Sequence, residues 1–341
     1  MLSKKLKTYL TLLMEKHRVS VVGYVIVNNY KITAADIVSI DPAIKTSINS
    51  LFQACSLSKC LTAYAILKLI AENKLNLDQA INQQLISWEI PRSPYSEDIT
   101  LRQCLNMTSG LCYGELDATF PDYTQHQTLP SLNNILNGIL PANNLPIKSI
   151  YPPGSCYAYS GAGYMVLQQL IEDITHESFI NYMDNEILKN LNMTHSRFEY
   201  PKITTSIIPG FNKDNHINPD GWHPIPTTAS GGLWSTPLDI AKFILEISRS
   251  PLANEIFAPQ KNSRFKFNLG FVIDNQNKNL NFRKNGHNSD YHHELLMFPH
   301  TGQGIVVMTN AASGIVLINH FIAEIAKQFQ WPDYALDFNE L

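Results

Sequence analysis

Residues 56–72 read Ser56-Leu57-Ser58-Lys59-Cys60-Leu61-Thr62-Ala63-Tyr64-Ala65-Ile66-Leu67-Lys68-Leu69-Ile70-Ala71-Glu72, a serine three positions ahead of a lysine at the mouth of an apolar run. The run lacks glycine and proline, and its apolar residues at 61, 65, 66, 69 and 70 repeat with helical periodicity. It predicts a helix with one face in a core. Residues at i and i+3 share a helix face, so a helix starting near Ser56 brings Lys59 beside the serine hydroxyl. An alcohol is a weak nucleophile at neutral pH and attacks acyl groups only with a base in hydrogen-bond reach. Lysine can be that base when desolvated, and Cys55, Leu57 and Cys60 are apolar enough to lower its pKa from a model value of about 10.4. The plain alternative is an N-cap serine followed by a solvated lysine. Chance supplies Ser-x-x-Lys about once or twice in a chain of this size. A second copy stands at Ser263-Arg264-Phe265-Lys266, in a polar segment with no helical pattern behind it.

The chain has 341 residues, room for two domains or for one scaffold with a large insertion. Hydrophobic residues make up 44% and charged residues 16%, an ordinary globular composition. A net charge of -3 without any run of Lys or Arg gives no expectation of a nucleic-acid partner. No apolar stretch approaches the roughly 20 residues of a membrane-spanning helix. Lys4, Lys5 and Lys7 precede an apolar segment at 9–14, but Glu15-Lys16-His17-Arg18 follows at once and no Ala-x-Ala-like site appears. The segment therefore reads as an amphipathic helix and not a signal peptide. Cys55, Cys60, Cys104, Cys112 and Cys156 form no Cys-x-x-Cys pair, and their odd number argues against a disulfide framework. These points together give a cytoplasmic expectation.

Residues 19–32 are rich in β-branched side chains and are broken at Asn28-Asn29, which predicts two strands joined by a hairpin turn. From about 73 to 226 the pattern changes to short helical patches, at 77–85, 131–140, 166–175 and 179–191, separated by Pro-rich loops. Thr236-Pro237-Leu238-Asp239 carries a capping threonine, a proline at the first helical position and an acid in the first turn, so 239–248 should be helical. Strand candidates follow at 267–273, 280–283, 294–298 and 304–309, spaced for an antiparallel sheet, and 316–329 is a last amphipathic helix. The expected fold is an α+β sandwich. Its antiparallel sheet draws on both chain ends and is flanked by the N- and C-terminal helices. An α/β part at about 1–72 and 227–341 carries a mainly helical insert at about 73–226.

An acyl-transfer serine also needs a proton route and donors for the oxyanion. The Gly-rich loop Pro152-Pro153-Gly154-Ser155-Cys156-Tyr157-Ala158-Tyr159-Ser160-Gly161 offers a phenol that cationic lysines could hold partly as phenolate. The bland reading is a loop whose aromatics plug a domain junction. Phe282-Arg283-Lys284-Asn285-Gly286-His287 offers a cation, and Gly286 lets backbone approach backbone closely. On its own, Lys-x-Gly usually marks a turn.

The three elements, in this order and context, resemble the serine β-lactamase and penicillin-binding-protein superfamily in its class C-like branch, which includes D,D-peptidases and esterases. The resemblance runs from about residue 19 to about 329. It also includes Leu101-Arg102-Gln103-Cys104-Leu105-Asn106-Met107-Thr108-Ser109-Gly110-Leu111, the Gly231-Gly232-Leu233-Trp234 segment, and 304–310. It implies a single β-lactamase-like serine hydrolase domain over 1–341, with Ser56 the acylated nucleophile and Lys59 its base partner. Tyr159 would be the proton shuttle of the family's Tyr-x-Asn motif, and Lys284 the first residue of Lys-Thr-Gly. The oxyanion donors would be the backbone amides of Ser56 and His287, with Asn285, Gly286 and Gly161 beside the substrate. No metal or organic cofactor is implied. The partner would be a small-molecule or peptide acyl substrate, and nothing bears on oligomeric state.

Three positions depart from the pattern. Gly161 stands where the family has asparagine, so a side-chain amide is missing and substrates without an amide side chain should be accepted. Met107 replaces a histidine, with an expected effect on packing alone. Asp290 is expected at the cleft rim, paired with Lys284 or repelling anionic β-lactams. The resulting expectation is a serine hydrolase of esters or peptide-like amides; D-amino-acid peptides and β-lactams are further candidates. The rival from another class is a catalytically silent binding or regulatory relative. A metal site built from His287, His292, His293, Glu294 and His300 is disfavoured, because adjacent strand residues point to opposite faces. A class A-like variant would use Ser131-Leu132-Asn133, yet Ser131 after Pro130 reads as an N-cap. Trp222 and His223 stand as candidates for the cleft wall.

Overall fold

Strand Val21–Asn28 turns at Asn29 and Tyr30, whose φ values of 50° and 57° are both left-handed, into strand Lys31–Ser39. Two consecutive positive φ values give a tight hairpin turn whose twist matches that of the strands it joins. Tyr30 accepts this conformation because its hydroxyl donates to the Pro299 carbonyl at 2.6 Å and the Arg249 guanidinium lies 5.2 Å from its ring. The second strand continues to Ser39, well past residue 32, where the sequence pattern ends. The structure is a computed structural model that describes residues 2–113, 123–202, 206–218, 220–258, 266–274 and 280–332. Ser263 of the second Ser-x-x-Lys copy lies outside them.

Among the described residues the main sheet has seven strands, ordered Lys31–Ser39, Val21–Asn28, Gln303–Thr309, His292–Phe298, Asn281–His287, Phe271–Asp274 and Phe267–Asn268. Each described pairing is antiparallel. The period-2 alternation of Gln303–Thr309 and His292–Phe298 serves two covered faces. Ile305, Val307, Leu296 and Phe298 pack under the terminal helices Lys4–His17 and Gly314–Gln328, against Leu6, Leu10, Met14 and Phe321. Val306, Met308, Leu295 and Met297 face the other way and join a core with Leu61, Tyr164, Leu167 and Phe243. Each large apolar side chain so buried contributes about 1.5–3 kcal/mol, which is why both faces need cover.

Helix Ser58–Ala71 is nearly surrounded by core, with Leu61, Ala65, Ile66 and Leu69 fully buried. Helix Pro237–Ile247 starts as its cap predicts, with the Thr236 hydroxyl accepting from the Asp239 amide at 3.1 Å. One pattern was read wrongly and two differ in detail. Residues 77–85 hold only a single 3-10 turn, Ile81–Gln83. There the Gln84 side chain accepts from the Asn76 amide at 2.8 Å and donates to the Asn76 carbonyl at 3.0 Å, taking groups that a helix would need. Residues 267–273 form two short strands, because Leu269 (φ 43°) and Gly270 (φ 93°) turn the chain against helix Ser58–Ala71, where a Cβ at 270 would lie 2.9 Å from that of Ala63. The patch at 179–191 is α-helical over Phe179–Tyr182 and continues as a π-turn through Met183–Leu188. Helices Leu132–Asn137 and Ala162–Thr175 occupy the remaining patches, the second starting four residues before its expected position.

Candidate active site

Ser56 sits in the 3-10 turn Cys55–Leu57 that leads into helix Ser58–Ala71. Cys55 adopts φ 52°, an uncommon conformation for a residue with a side chain, of the kind that clusters at functional turns. The turn is fastened from behind. The Ser58 hydroxyl donates to the Cys55 carbonyl at 2.6 Å and accepts from the Leu233 amide at 3.0 Å, while the Ala54 amide reaches the Leu233 carbonyl at 2.8 Å. The Gly231-Gly232-Leu233 segment thereby holds the Cys55–Leu57 turn in place.

The i, i+3 spacing works as expected, since Lys59 Nζ lies 3.1 Å from Ser56 Oγ. Its second partner is the Ser230 carbonyl at 2.7 Å, and its ammonium is 5.1 Å from the Tyr159 ring centroid. Burial pulls the Lys59 pKa below its usual value, and the Lys284 charge pushes it the same way, against an opposing pull from Tyr159. The Tyr159 hydroxyl lies 2.8 Å from Ser56 Oγ. Burial would raise that phenol, but the Lys284 and Lys59 ammonium groups and the hydrogen bonds from Ser56 and Lys59 outweigh it and bring it down to about 8.

Lys284 projects from strand Asn281–His287 on the same face as Phe282 and Gly286, and its Nζ lies 5.3 Å from the Tyr159 ring. Asn285 supplies its described hydrogen-bond acceptors, the carbonyl and Oδ1, the latter at 3.0 Å. Among the described residues, strand Asn281–His287 pairs with Phe271–Asp274 at Asn281, Phe282 and Arg283 and no further. Beyond these, residues 284–287 have no described strand partner on that side, and His287 of them lines the cleft. Gly286 is required there, because a Cβ would come within 2.6 Å of the Ala54 carbonyl and 3.2 Å of the Leu57 amide. That close approach brings the backbone of His287 to the Cys55–Leu57 turn. Its imidazole stacks on His292 at 5.1 Å and is kept below its usual pKa by burial and by the nearby Lys284 and Lys59 charges. His293 points to the other face, where Nε2 meets the Gln53 carbonyl at 2.8 Å. Among the described residues no cluster of three His, Cys, Asp or Glu side chains is placed to hold a metal ion.

Ser56, Lys59, Tyr159 and His287 line a cleft of about 650 Å³, whose wall also includes Gly161, Tyr113, His223 and Ser230, whereas Lys284, Asn285 and Gly286 are not among its lining residues. Two sequence expectations are corrected. Asp290 does not meet Lys284: it is buried, with Oδ2 2.8 Å from His223 Nε2, and takes a further hydrogen bond from Asn218 at 3.3 Å. Burial raises its pKa, but the bonds and charge of His223 overcome that and hold it below the usual value. Met107 does more than pack. Its Sδ accepts from the Ser160 amide at 3.5 Å and its carbonyl accepts from the Ala158 amide at 2.9 Å, so it clasps the loop on both sides of Tyr159. Of the two wall candidates, His223 lines the cleft, whereas Trp222 packs between Tyr200 and Trp234. Ser131 is the N-cap of Leu132–Asn137, accepting from the Asn134 amide at 3.2 Å, and is not among the residues lining the cleft.

Tyr113 and Ser230 were not found by sequence reasoning. Tyr113 follows the quoted 101–111 segment by two residues, and Ser230 immediately precedes Gly231-Gly232. Adjacency to those motifs was the available signal.

A family model described as Beta-lactamase matches residues 6–325. Protein flp of Staphylococcus aureus strain NCTC 8325 is 26% identical over 326 residues, covering 88% of this chain and 61% of its own length. The chain thus spans under two thirds of the flp proteins it matches. Among solved structures, a penicillin binding protein from Bacillus halodurans superposes with TM-score 0.73 at 19% identity, covering 96% of this chain and 100% of that one. A structure titled beta-lactamase/D-alanine carboxypeptidase, from Yersinia pestis, gives 0.71 at 17% identity and covers 95% and 100%.

Proposed function

The chain belongs to the beta-lactamase family, and on that premise we propose that it is a serine hydrolase that forms an acyl-enzyme on Ser56, with carboxylic esters or peptide-like amides as substrates. One observation carries the reading. Ser56 Oγ touches both Lys59 Nζ at 3.1 Å and the Tyr159 hydroxyl at 2.8 Å, and that phenol is held down to about 8. A base with a pKa near the working pH is the efficient one.

In this reading Tyr159, as phenolate between two ammonium groups, takes the Ser56 proton while Oγ attacks the acyl carbon. Lys59 steadies the developing charge. The phenol then gives its proton to the leaving group as the carbon–oxygen or carbon–nitrogen bond breaks. Backbone amides of Ser56 and His287 would receive the oxyanion, a contribution of about 3–4 kcal/mol when such a donor is well placed. Water repeats the sequence on the acyl-enzyme, with Tyr159 as its base. The D-alanine carboxypeptidase named for the Yersinia relative keeps D-amino-acid peptides within the substrate range. Asp290 is buried against His223 and Asn218 and is not free at the rim, so exclusion of β-lactams does not follow from it.

Among the described residues no helix is long and apolar enough to cross a membrane. Five free cysteines, four of them buried, support a reducing compartment as the place of action. A fluorophosphonate or fluorescent penicillin should add one adduct to the intact mass of the protein. Absence of an adduct, or equal labelling of Ser56→Ala, would sink the assignment.

A further inference from the structure

The wall beside Lys59 is set by two residues acting together. A Cβ on Gly161 would stand 2.7 Å from the Tyr113 hydroxyl oxygen and 3.2 Å from Ser230 Oγ, so Tyr113 fills the space that any side chain at 161 would occupy. Tyr113 is buried and lines the cleft with Ser56, Lys59 and Tyr159, its hydroxyl close to Ser230. Ser230 Oγ donates its own proton to the Thr227 carbonyl at 3.1 Å. Burial pushes the Tyr113 phenol upward, and it stays protonated. The backbone amides of Ser230 and Gly231 are also spent on the Thr227 carbonyl, at 3.1 and 2.9 Å. Pro224, Ile225 and Pro226 continue the lining, and neither proline carries an N–H.

We propose that Tyr113 determines acyl-group specificity: by filling the space beside Gly161 it closes the slot near Lys59 to acyl groups with an acylamino substituent on the α-carbon, selecting simple carboxylic esters. The proposal rests on the hydrolase reading above. An α-acylamino group entering this slot would meet the Tyr113 side chain in the space beside Gly161 and would find the Ser230 proton already given to the Thr227 carbonyl, so it could enter only by displacing a buried ring. An unsubstituted acyl chain meets ring and proline surface instead.

The test compares two nitrophenyl esters with the same leaving group, a butyrate and an N-acetylglycinate, each corrected for its spontaneous hydrolysis rate. The parent should favour the butyrate in kcat/KM by about tenfold or more. Tyr113→Ala opens the slot and should move the ratio about tenfold toward the acetamido ester. Tyr113→Ala with Gly161→Asn adds an amide donor to the vacated space and should move it further the same way. The ratio does not depend on what fraction of each variant is folded. An unchanged ratio in both variants, with turnover still abolished by Ser56→Ala, overturns the specificity proposal alone. Turnover that survives Ser56→Ala overturns it together with the hydrolase reading.

Discussion

Replacing Lys284 with methionine keeps most of the stem and deletes one of the two charges that hold Tyr159 acidic. Lys284 is 2% exposed and its Nζ stands 5.3 Å from the Tyr159 ring centroid. With an effective dielectric of about 20, unit charges at about that separation interact by about 3 kcal/mol, equivalent to about 2 pH units. Water entering the vacated space and the remaining Lys59 ammonium, 5.1 Å from the ring, leave an expected shift of about 1–2 units. The sign follows from the charge state. A cation favours phenolate, so its removal raises the phenol pKa and moves the active, deprotonated form to higher pH. The assay is the pH dependence of kcat/KM on a neutral ester, which has no carboxylate for Lys284 to bind. In the parent, activity should rise with pH through an apparent value near 8, a property of the coupled Tyr159–Lys59–Lys284 unit. In Lys284→Met the rise should move to higher pH by about 1–2 units, with a loss of about 10- to 100-fold at neutral pH that shrinks as the pH is raised. Tyr159→Phe should remove the rise altogether. A variant with the same limb and only a lower plateau would refute the argument and leave Lys284 as a substrate anchor.

Two other substitutions probe how the site is held. Gly286→Ala places a Cβ within 2.6 Å of the Ala54 carbonyl and should push the 284–287 edge off the nucleophile turn, lowering kcat by about 100-fold with little change in KM; a loss under threefold would remove the oxyanion role from His287. Asp239 is fully buried and accepts from the His195 amide at 2.8 Å, the Ser196 hydroxyl at 3.0 Å and Lys242 at 2.7 Å, so Asp239→Ala should cost about 3–5 kcal/mol in urea unfolding, and a cost below about 1 would show that the network carries no weight.

What the sequence disclosed was what local chemistry decides. The helix at 58–71, the hairpin at Asn29-Tyr30 and the capped start at Thr236 each follow from residues within one or two turns of themselves. The Ser56–Lys59 contact belongs to the same class, because i, i+3 spacing alone delivers it. Asp290 was misread because its partners, His223 and Asn218, are distant in the chain and their approach depends on how loops pack. Met107 was misread for a related reason. A thioether was assigned to packing, yet the Met107 backbone at φ 60° aims both its carbonyl and its sulfur at the 158–160 loop. Tyr113 was invisible because its meaning depends on Gly161. A glycine in a motif position reads as a loss until the structure shows what fills the space.

The choice between an enzyme and a silent relative turns on the charges around Tyr159. Lys59 and Lys284 are 3% and 2% exposed, and among the described residues neither forms an ion pair with a carboxylate. Burying two ammonium groups near one another costs several kcal/mol each unless an anion offsets them. A pocket that only had to be filled would be more stable lined with leucine and methionine. A group able to take a negative charge and faced by both lysines is Tyr159, which lies against Ser56 Oγ. The arrangement is therefore least costly when the phenol is ionised, and that is the state in which Tyr159 would remove the serine proton in the mechanism proposed above. A binding protein would have no need of an ionised phenol against an alcohol, so the cluster favours acyl transfer.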